Sequence, residues 1–290
     1  MSKRRINRLH IRVEHPKSED QLPDGYNYYL QEIEKMGRRR AQSIFDCRVS
    51  IKESEFAYER SEFTQIAEGN AGFLHLLMAI FLIRLFNELE RIISTEEVTD
   101  FNRSKNRYMV SAISQRELAM ACLTLNEEDV RRLPELHHFL STNQTFWTLQ
   151  LSGAMAVMRV INIFLSEHAI VRFPTPSEYV ELKIDLIVYF RGSAEGLCIQ
   201  VKGDQTVPHI RHRTFENIDE ETARHDDVRF VHGVRKFQSQ FHGIWIPVEI
   251  SLGSVPFQTE AVRPLGVLKQ EVRYFLDQVL TEHNLHDRVA

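Results

Sequence analysis

The stretch that decides the fold is Tyr179–Gly203, which reads YVELKIDLIVYFRGSAEGLCIQVKG. It predicts two strands joined by a short turn, because two runs of alternating residues flank the breakers Gly192 and Gly196. In the first run one face is apolar and the other is charged (Val180, Leu182, Ile184, Leu186 and Val188 against Glu181, Lys183 and Asp185). Side chains alternate with period two along a strand, so the apolar faces determine the register of the pair.

The predicted register brings three polar side chains together. If Phe190 lies opposite Leu197, then Asp185 lies directly across from Lys202, and Gln200 is two positions away on the same face. A carboxylate, an amide and an ammonium group would then converge beside an apolar wall. An aspartate opposite a lysine is also a common cross-strand ion pair, worth up to ~1 kcal/mol, so the pair alone has a structural interpretation as well.

These residues resemble the core of the PD-(D/E)XK nuclease superfamily, in the variant whose second half reads Q-x-K. Asp185 matches the motif aspartate, and Gln200, Val201 and Lys202 match the (D/E)-x-K triplet. The resemblance implies that Asp185, Gln200 and the Val201 carbonyl hold Mg²⁺ or Mn²⁺, and that Lys202 serves the attacking water. Hard oxygen ligands on such an ion neutralise phosphate charge and activate water, which phosphodiester hydrolysis requires.

The order of elements resembles that superfamily too, with one departure. A predicted helix at Asn143–His168 precedes the strand of Asp185 and then the Q-x-K strand. Many members carry a glutamate on this helix, and its middle has none here. Because Gln200 also replaces an acid, the resemblance implies a single weakly held metal ion rather than a tight pair. The other acids considered are Glu181, predicted on the face of Asp185, and Glu249 on a later strand.

The remaining pattern predicts an α/β (α+β) fold. Helices are predicted at Tyr26–Phe45, Glu53–Glu68, Phe73–Ile93 and Val228–His242, and a strand at Gly243–Ser251. That strand is expected at a sheet edge or with a bulge, because Pro247 cannot donate to the ladder. We therefore predict a mainly helical N-terminal region at residues 1–140. A restriction-endonuclease-like mixed sheet flanked by helices is predicted at residues 141–290.

Ser114–Leu133 has two interpretations. Its spacing superficially resembles a helix-turn-helix whose second helix is capped by Asn126. That second helix opens with Glu127, Glu128 and Asp129, which would meet DNA phosphates with the wrong sign, and the tight-turn glycine is missing. Two helices packed on the core are the favoured interpretation.

Candidate DNA contacts are basic residues near the Q-x-K strand. They are Arg211 and Arg213 in a polar segment, and Arg235 and Lys236 on the predicted helix after it. The formal net charge is −4, so no global positive field attracts nucleic acid and any basic footprint must be local. Arg38–Arg40 is another basic run, for which a solvated helix face and a phosphate clamp both remain open.

Composition excludes several classes of protein. The three scattered cysteines (Cys47, Cys122 and Cys198) form no C-x-x-C pair, which favours a reducing, cytoplasmic location over a disulfide framework or a zinc ribbon. The apolar run Phe73–Phe86 is shorter than the ~20 residues that cross a bilayer, and it contains His75 and Arg84, so no membrane association is predicted. Walker, G-x-S-x-G and G-x-G-x-x-G motifs are absent from the sequence.

The resemblance thus implies a metal-dependent nuclease that hydrolyses DNA phosphodiester bonds. It also implies a homodimer, because dimers are common in that superfamily, where each site cuts one strand, and Phe73–Phe86 is a candidate dimer surface. Two alternatives remain open. One is a nuclease-fold protein that has lost catalysis and serves as a nucleic-acid-binding or assembly subunit. The other is a mainly helical interaction protein in which residues 179–203 form an ordinary hairpin.

Overall fold

The computed structural model describes most of the chain between residues 22 and 252. The described residues are 22–96, 99–138, 140, 144–191, 195–202, 209–212, 225–241 and 243–252, with Gln270, Arg273, Tyr274 and Gln278. They divide into two compact units, one comprising residues 22–158 and the other the described residues from 159 onward. The predicted α+β fold with a helical N-terminal region and a mixed sheet is confirmed.

The first unit is built from helices. They are α1 (Tyr26–Asp46), α2 (Ala57–Ala67), α3 (Ala71–Thr95), α4 (Phe101–Thr124), α5 (Glu127–Arg132) and the N-terminal part of α6 (Gln144–Ser166). Short 3-10 turns at Glu53–Phe56 and Leu133–His138 join them. Helix α3 lies at the centre, where it packs against α1, α2 and α4.

Helix α3 is the core helix of this unit and agrees with the predicted Phe73–Ile93 to within two residues at each end. It begins at the Asn70 cap, whose side chain accepts a hydrogen bond from the Phe73 N–H at 2.7 Å. Most of its side chains are buried on all sides, so Phe73–Phe86 is not available as an exposed dimer surface. By length and composition, α3 and residues Phe146–Ser166 of α6 are each apolar enough to cross a membrane. Within the structure, 72% of an apolar 18-residue stretch of α3 is buried, and 56% of the corresponding stretch of α6.

The segment Ser114–Leu133 forms two helices packed on the core, as favoured. Asn126 caps α5, accepting a hydrogen bond from the Asp129 N–H at 2.8 Å. The Asp129 carboxylate is itself buried, and it accepts a hydrogen bond from the Leu22 N–H at 2.7 Å. Since Val130 and Asp129 both face inward, α5 serves the packing of this unit.

A buried ionic network stabilises the helical unit around Glu117, which is 1% exposed. Its carboxylate accepts hydrogen bonds from His75 at 2.7 Å, from Arg116 at 2.9 Å and from Arg60. Burial by itself would raise the pKa of Glu117. The hydrogen bond from His75 and the positive charges of His75, Arg116 and Arg60 outweigh burial and lower this pKa to about 2.

The second unit contains a five-stranded mixed sheet. Its strands are β1 (Ile170–Arg172), β2 (Leu186–Tyr189), β3 (Glu195–Lys202), β4 (His209–His212) and β5 (Ile244–Ser251), and its helices besides α6 are α7 (Pro176–Leu182) and α8 (His225–Gln240). The spatial order is β1-β2-β3-β5-β4, in which β3 and β5 are parallel and the other pairs antiparallel. Strands β1 and β4 were not predicted.

The predicted first strand of the hairpin is wrong in its N-terminal half, where helix α7 forms instead. Thr175 and Glu178 make a reciprocal capping box, and Pro176 occupies the first turn. Lys183 then ends the helix in the left-handed conformation, at φ 58°. The local capping signal therefore prevails over the alternation of apolar residues, and only Leu186–Tyr189 remain as β2.

The predicted register is also wrong, by two residues. Val188, and not Phe190, pairs with Leu197, and Leu186 pairs with Ile199. Helix α7 removes the residues that would have extended the pairing toward Lys202. The predicted turn around Gly192 lies outside the described residues.

Strand β5 is an inner strand, which corrects the prediction of an edge strand. It pairs with β3 along its whole length, and with β4 only from Val248 to Ser251. At Pro247, β5 therefore has β3 as its one described neighbour. An inner strand accommodates a proline at such a position because the missing N–H is not needed for pairing on the other side.

Candidate metal and phosphate site

Three polar side chains form a row across one face of the sheet. Gln200 on β3 is the Cα partner of Glu249 on β5, which in turn is the partner of Arg211 on β4. Paired residues on adjacent strands point to the same face and lie roughly 5 Å apart. The order across the sheet is therefore amide, carboxylate and guanidinium. Asp185 directly precedes β2, on the side of β3 opposite β5.

Asp185 is fixed by backbone hydrogen bonds on both sides. Its N–H donates to the Ile199 carbonyl at 2.8 Å, and its Oδ2 accepts from the Val201 N–H at 2.7 Å. The predicted position directly across from Lys202 is wrong, because the register is shifted by two residues and β2 begins only at Leu186. The Asp185 carboxylate lies beside the Q-x-K strand at the Val201 N–H.

Asp185 is only partly exposed, and apolar surroundings disfavour its charge. Desolvation raises the pKa of Asp185 to about 6, from an ordinary value of 3.8. The hydrogen bond from Val201 and the charges of Lys202 and Lys183 act in the opposite direction and do not compensate fully. A cation close to Asp185 would therefore stabilise its carboxylate form. Asp185 in turn contributes, with burial, to the raised pKa of Tyr179 on α7.

Gln200 carries the feature that most favours a ligand at this site. The residue is 7% exposed, and its Oε1 is buried without a hydrogen-bond donor. A buried carbonyl oxygen without a partner costs ~1–3 kcal/mol, so an unsatisfied one requires an explanation. A divalent cation is one group that would satisfy such an oxygen, because amide oxygens are ligands of hard cations.

The Val201 carbonyl is oriented as the predicted ligand set requires. The N–H and C=O of a strand residue point to the same side, and the Val201 N–H points to Asp185. The next carbonyl, that of Lys202, points the other way and accepts a hydrogen bond from Leu252 on the β5 side at 3.1 Å. The Val201 carbonyl therefore points to the side of Asp185, and carboxylate, amide and carbonyl oxygens are donors that suit a hard divalent cation.

Lys202 lies beside the row and has a partner that sequence reasoning missed. Its Nζ is 3.6 Å from Oδ1 of Asp227 on α8, and both side chains are largely buried, at 17% and 14% exposure. A signal for Asp227 was present, since acidic residues favour the first turn of a helix. The predicted helix began at Val228, which is the residue after Asp227, so Asp227 was assigned to the preceding loop.

Close packing of α8 on the sheet fixes the position of Asp227. Phe230, Val234 and Phe237 bury their side chains against Ile187 and Cys198 of the same sheet face. At Gly233 the helix approaches α7 so closely that an added Cβ would lie 2.1 Å from the Leu182 carbonyl oxygen. Such packing leaves α8 little freedom to shift relative to β3.

The predicted DNA contacts have different surroundings. Arg211 and Arg235 are exposed, whereas Lys236 is 3.4 Å from Glu181, with its side chain 56% exposed. Glu181 lies on α7 and accepts a hydrogen bond from Ser177, so its predicted place on the strand of Asp185 is wrong. Arg213 lies outside the described residues. Among the described basic candidates, Arg211 alone lies in the row of Gln200 and Glu249.

No family model, curated protein or solved structure matches this chain.

The chemistry of the site therefore has to be argued from its own residues. Within the described part of the chain, no three His, Cys, Asp or Glu side chains are close enough together to hold a metal ion. The predicted ligand set contains one such side chain, that of Asp185, and its other oxygens come from the Gln200 amide and the Val201 carbonyl. The absence of a three-residue group therefore does not bear on it.

Proposed function

We propose that this protein is a metal-dependent nuclease that hydrolyses DNA phosphodiester bonds at Asp185, Gln200 and Lys202. The observation that carries the proposal is the partnerless Oε1 of Gln200, which lies between the positions of Asp185 and Glu249 with Lys202 two residues further along β3. Such an arrangement supplies oxygen ligands and a cation in one place, which phosphoryl transfer needs.

Each residue has a distinct role in this proposal. Asp185, Gln200 and the Val201 carbonyl would hold Mg²⁺ or Mn²⁺, which when bound would neutralise phosphate charge and activate the attacking water. Lys202 would orient that water and stabilise the negative charge that develops on the phosphoryl oxygens. Asp227, 3.6 Å from the lysine Nζ, holds the ammonium group in position until the phosphate competes for it.

DNA would reach the site past Arg211, which is exposed on the edge strand β4 in line with the site residues. Arg235 and Lys236 on α8 would add phosphate contacts, and each such contact makes binding weaker as salt increases. A homodimer is proposed for cleavage of both strands, and a cytoplasmic location accords with three cysteines that form no disulfide.

The second candidate is a nuclease-fold subunit that binds nucleic acid without cutting it. The ion pair between Lys202 and Asp227 favours it, because a lysine retained by a carboxylate would not serve a water molecule. This candidate keeps the salt-dependent DNA binding and loses the metal-dependent cleavage.

A cleavage assay separates the two candidates. Supercoiled plasmid and labelled duplex DNA are incubated with the full chain in Mg²⁺, Mn²⁺ or EDTA. We expect cleavage with either metal, none in EDTA, and loss of cleavage in Asp185→Ala and Lys202→Ala. Lys35→Ala, at a surface position that is 64% exposed, is the control and should cut as the wild type does. Cleavage that survives both site changes contradicts the assignment, and salt-dependent binding without cleavage favours the second candidate.

A further inference from the structure

We infer that a groove in the helical unit binds a small organic amine through the carboxylates of Glu59 and Glu62. The groove is lined by residues of α1 and α2, which both pack on α3, and its volume is about 830 Å³. This volume lies within the ~300–1,000 Å³ of small-molecule pockets in proteins. The inference concerns the unit at residues 22–158 and does not depend on the nuclease proposal.

Apolar and aromatic side chains line much of the groove. They come from all three helices and are Tyr29, Met36, Tyr58, Phe63, Ile66 and Phe81. Phe63 and Phe81 are fully buried and meet edge to face, with 5.7 Å between their ring centroids. Tyr29 and Tyr58 are 38% and 70% exposed. The groove can therefore bury the apolar body of a ligand, and the faces of its aromatic rings attract a cationic group.

Glu59 carries the observation that points to a ligand. The residue lines the groove and is 6% exposed, and its Oε1 accepts a hydrogen bond from Arg40 Nε at 3.0 Å. Its Oε2 is buried and has no hydrogen-bond donor among the described residues. A buried carboxylate oxygen without a donor is unfavourable. Because the terminal torsion of a glutamate is soft, this carboxylate can turn toward a donor that enters the groove.

Glu62 places a second carboxylate beside the first. The two glutamates are three residues apart on α2, so their side chains lie on one face of the helix, with Cβ atoms about 5–6 Å apart. The Tyr58 hydroxyl donates a hydrogen bond to Glu62 at 2.7 Å, and within the described part of the chain Glu62 has no cationic partner. An ammonium group has three donors and a positive charge, so it would satisfy both carboxylates.

The two arginines that line the groove do not favour an anion in its place. Arg40 is already engaged, since its Nε donates to Glu59. Its Nη atoms donate to the Ser43 hydroxyl at 2.9 Å and to the Glu55 carbonyl at 3.5 Å. Arg39 is exposed, and water and salt screen its charge. The buried charge that still has an unsatisfied atom is therefore the negative one.

The test is titration of the full chain with three compounds of nearly the same shape, followed by ligand-observed NMR. They are 2-phenylethylamine, 2-phenylethanol and 3-phenylpropionate, which carry an ammonium, a hydroxyl and a carboxylate. We expect the amine to bind at least about tenfold more tightly than the alcohol, because hydrogen bonds between charged groups are the stronger ones. The carboxylate should bind more weakly than the alcohol.

A charge-removing variant tests the assignment of the residue. Glu59→Gln keeps the size of the side chain and an oxygen for Arg40. It should weaken binding of 2-phenylethylamine by about tenfold and leave that of 2-phenylethanol within about twofold of the wild type. Glu55→Gln makes the same change at an exposed side chain that does not line the groove, and it should bind both compounds as the wild type does.

Four results would overturn the inference. They are a wild-type chain that binds none of the three compounds, equal affinity for the amine and the alcohol, a preference for 3-phenylpropionate, and amine affinity that Glu59→Gln leaves unchanged. Should Glu59→Gln fail to fold, Glu62→Gln makes the same change at a half-buried position of the groove. That variant must then lower the preference for the amine over the alcohol, and an unchanged preference overturns the inference. DNA cleavage is unaffected by any of these outcomes.

Discussion

Asp185→Asn should make the metal-free protein more stable, because the wild-type site holds a carboxylate whose charge is disfavoured. Desolvation raises the pKa of Asp185 to about 6, against 3.8 for an ordinary aspartate. A group whose pKa is higher in the folded state stabilises the fold below its unfolded pKa, and this stabilisation is lost as the pH rises through its folded pKa. The contribution of Asp185 to the stability of the wild type therefore falls between pH 3.8 and about 6, and the asparagine variant lacks this fall.

The difference in pKa sets the expected size of the effect. The rise from 3.8 to about 6 corresponds to about 3 kcal/mol of unfolding free energy above pH 7. Asparagine still offers an oxygen to the Val201 N–H, which donates to the wild-type carboxylate at 2.7 Å. We expect Asp185→Asn to gain about 1–3 kcal/mol at pH 7.5, and the gain to vanish by about pH 4.

Urea unfolding in EDTA at a series of pH values measures this difference. The control is Asp46→Asn, which makes the same chemical change at an exposed position and should stay within about 0.5 kcal/mol of the wild type. In Mg²⁺ the difference should shrink or reverse, because a ligand at 100 times its Kd stabilises the wild type by about 2.7 kcal/mol, whereas the variant lacks the charged ligand and gains less. A variant less stable than the wild type in EDTA at pH 7.5, or stabilised equally by Mg²⁺, would refute this reasoning.

Two further predictions concern the packing that supports each unit. Glu117→Gln should cost about 3 kcal/mol at pH 7 by urea unfolding, since the pKa of Glu117 is lowered from 4.5 to about 2. That cost should shrink as the pH falls from about 4.5 toward 2, and Glu127→Gln, at an exposed ion pair, should show almost none. Gly233→Ala should cost at least about 2 kcal/mol because its Cβ would meet Leu182, whereas Gly153→Ala, with no contact closer than 3.8 Å, should be neutral or slightly stabilising.

The second strand of the hairpin was predictable because one signal dominates there. Leu197, Ile199 and Val201 alternate with Cys198, Gln200 and Lys202, and β3 forms as this pattern indicates. In the first half two signals compete. Thr175 and Glu178 start a helix that ends at Leu182, although the residues after them alternate as a strand would. A reading that weighs capping boxes before alternation would have found this helix.

The partners of the site residues were less predictable, because they depend on contacts between segments far apart in sequence. Sequence reasoning noted Glu249 as a minor acid, but only the parallel pairing of β3 with β5 makes it the neighbour of Gln200. Asp227 reaches Lys202 because α8 packs across the sheet face, and no local pattern encodes that contact. Strand β4, which brings Arg211 into the row, is four residues long within a polar segment and carries little alternation.

A crystal of the full chain soaked in Mn²⁺ tests the central claim most directly, through its anomalous difference map. The account predicts a single strong peak within ~2.5 Å of a carboxylate oxygen of Asp185, Oε1 of Gln200 and the carbonyl oxygen of Val201. A map without a peak there, with Gln200 Oε1 still lacking a partner at saturating Mn²⁺, would contradict it.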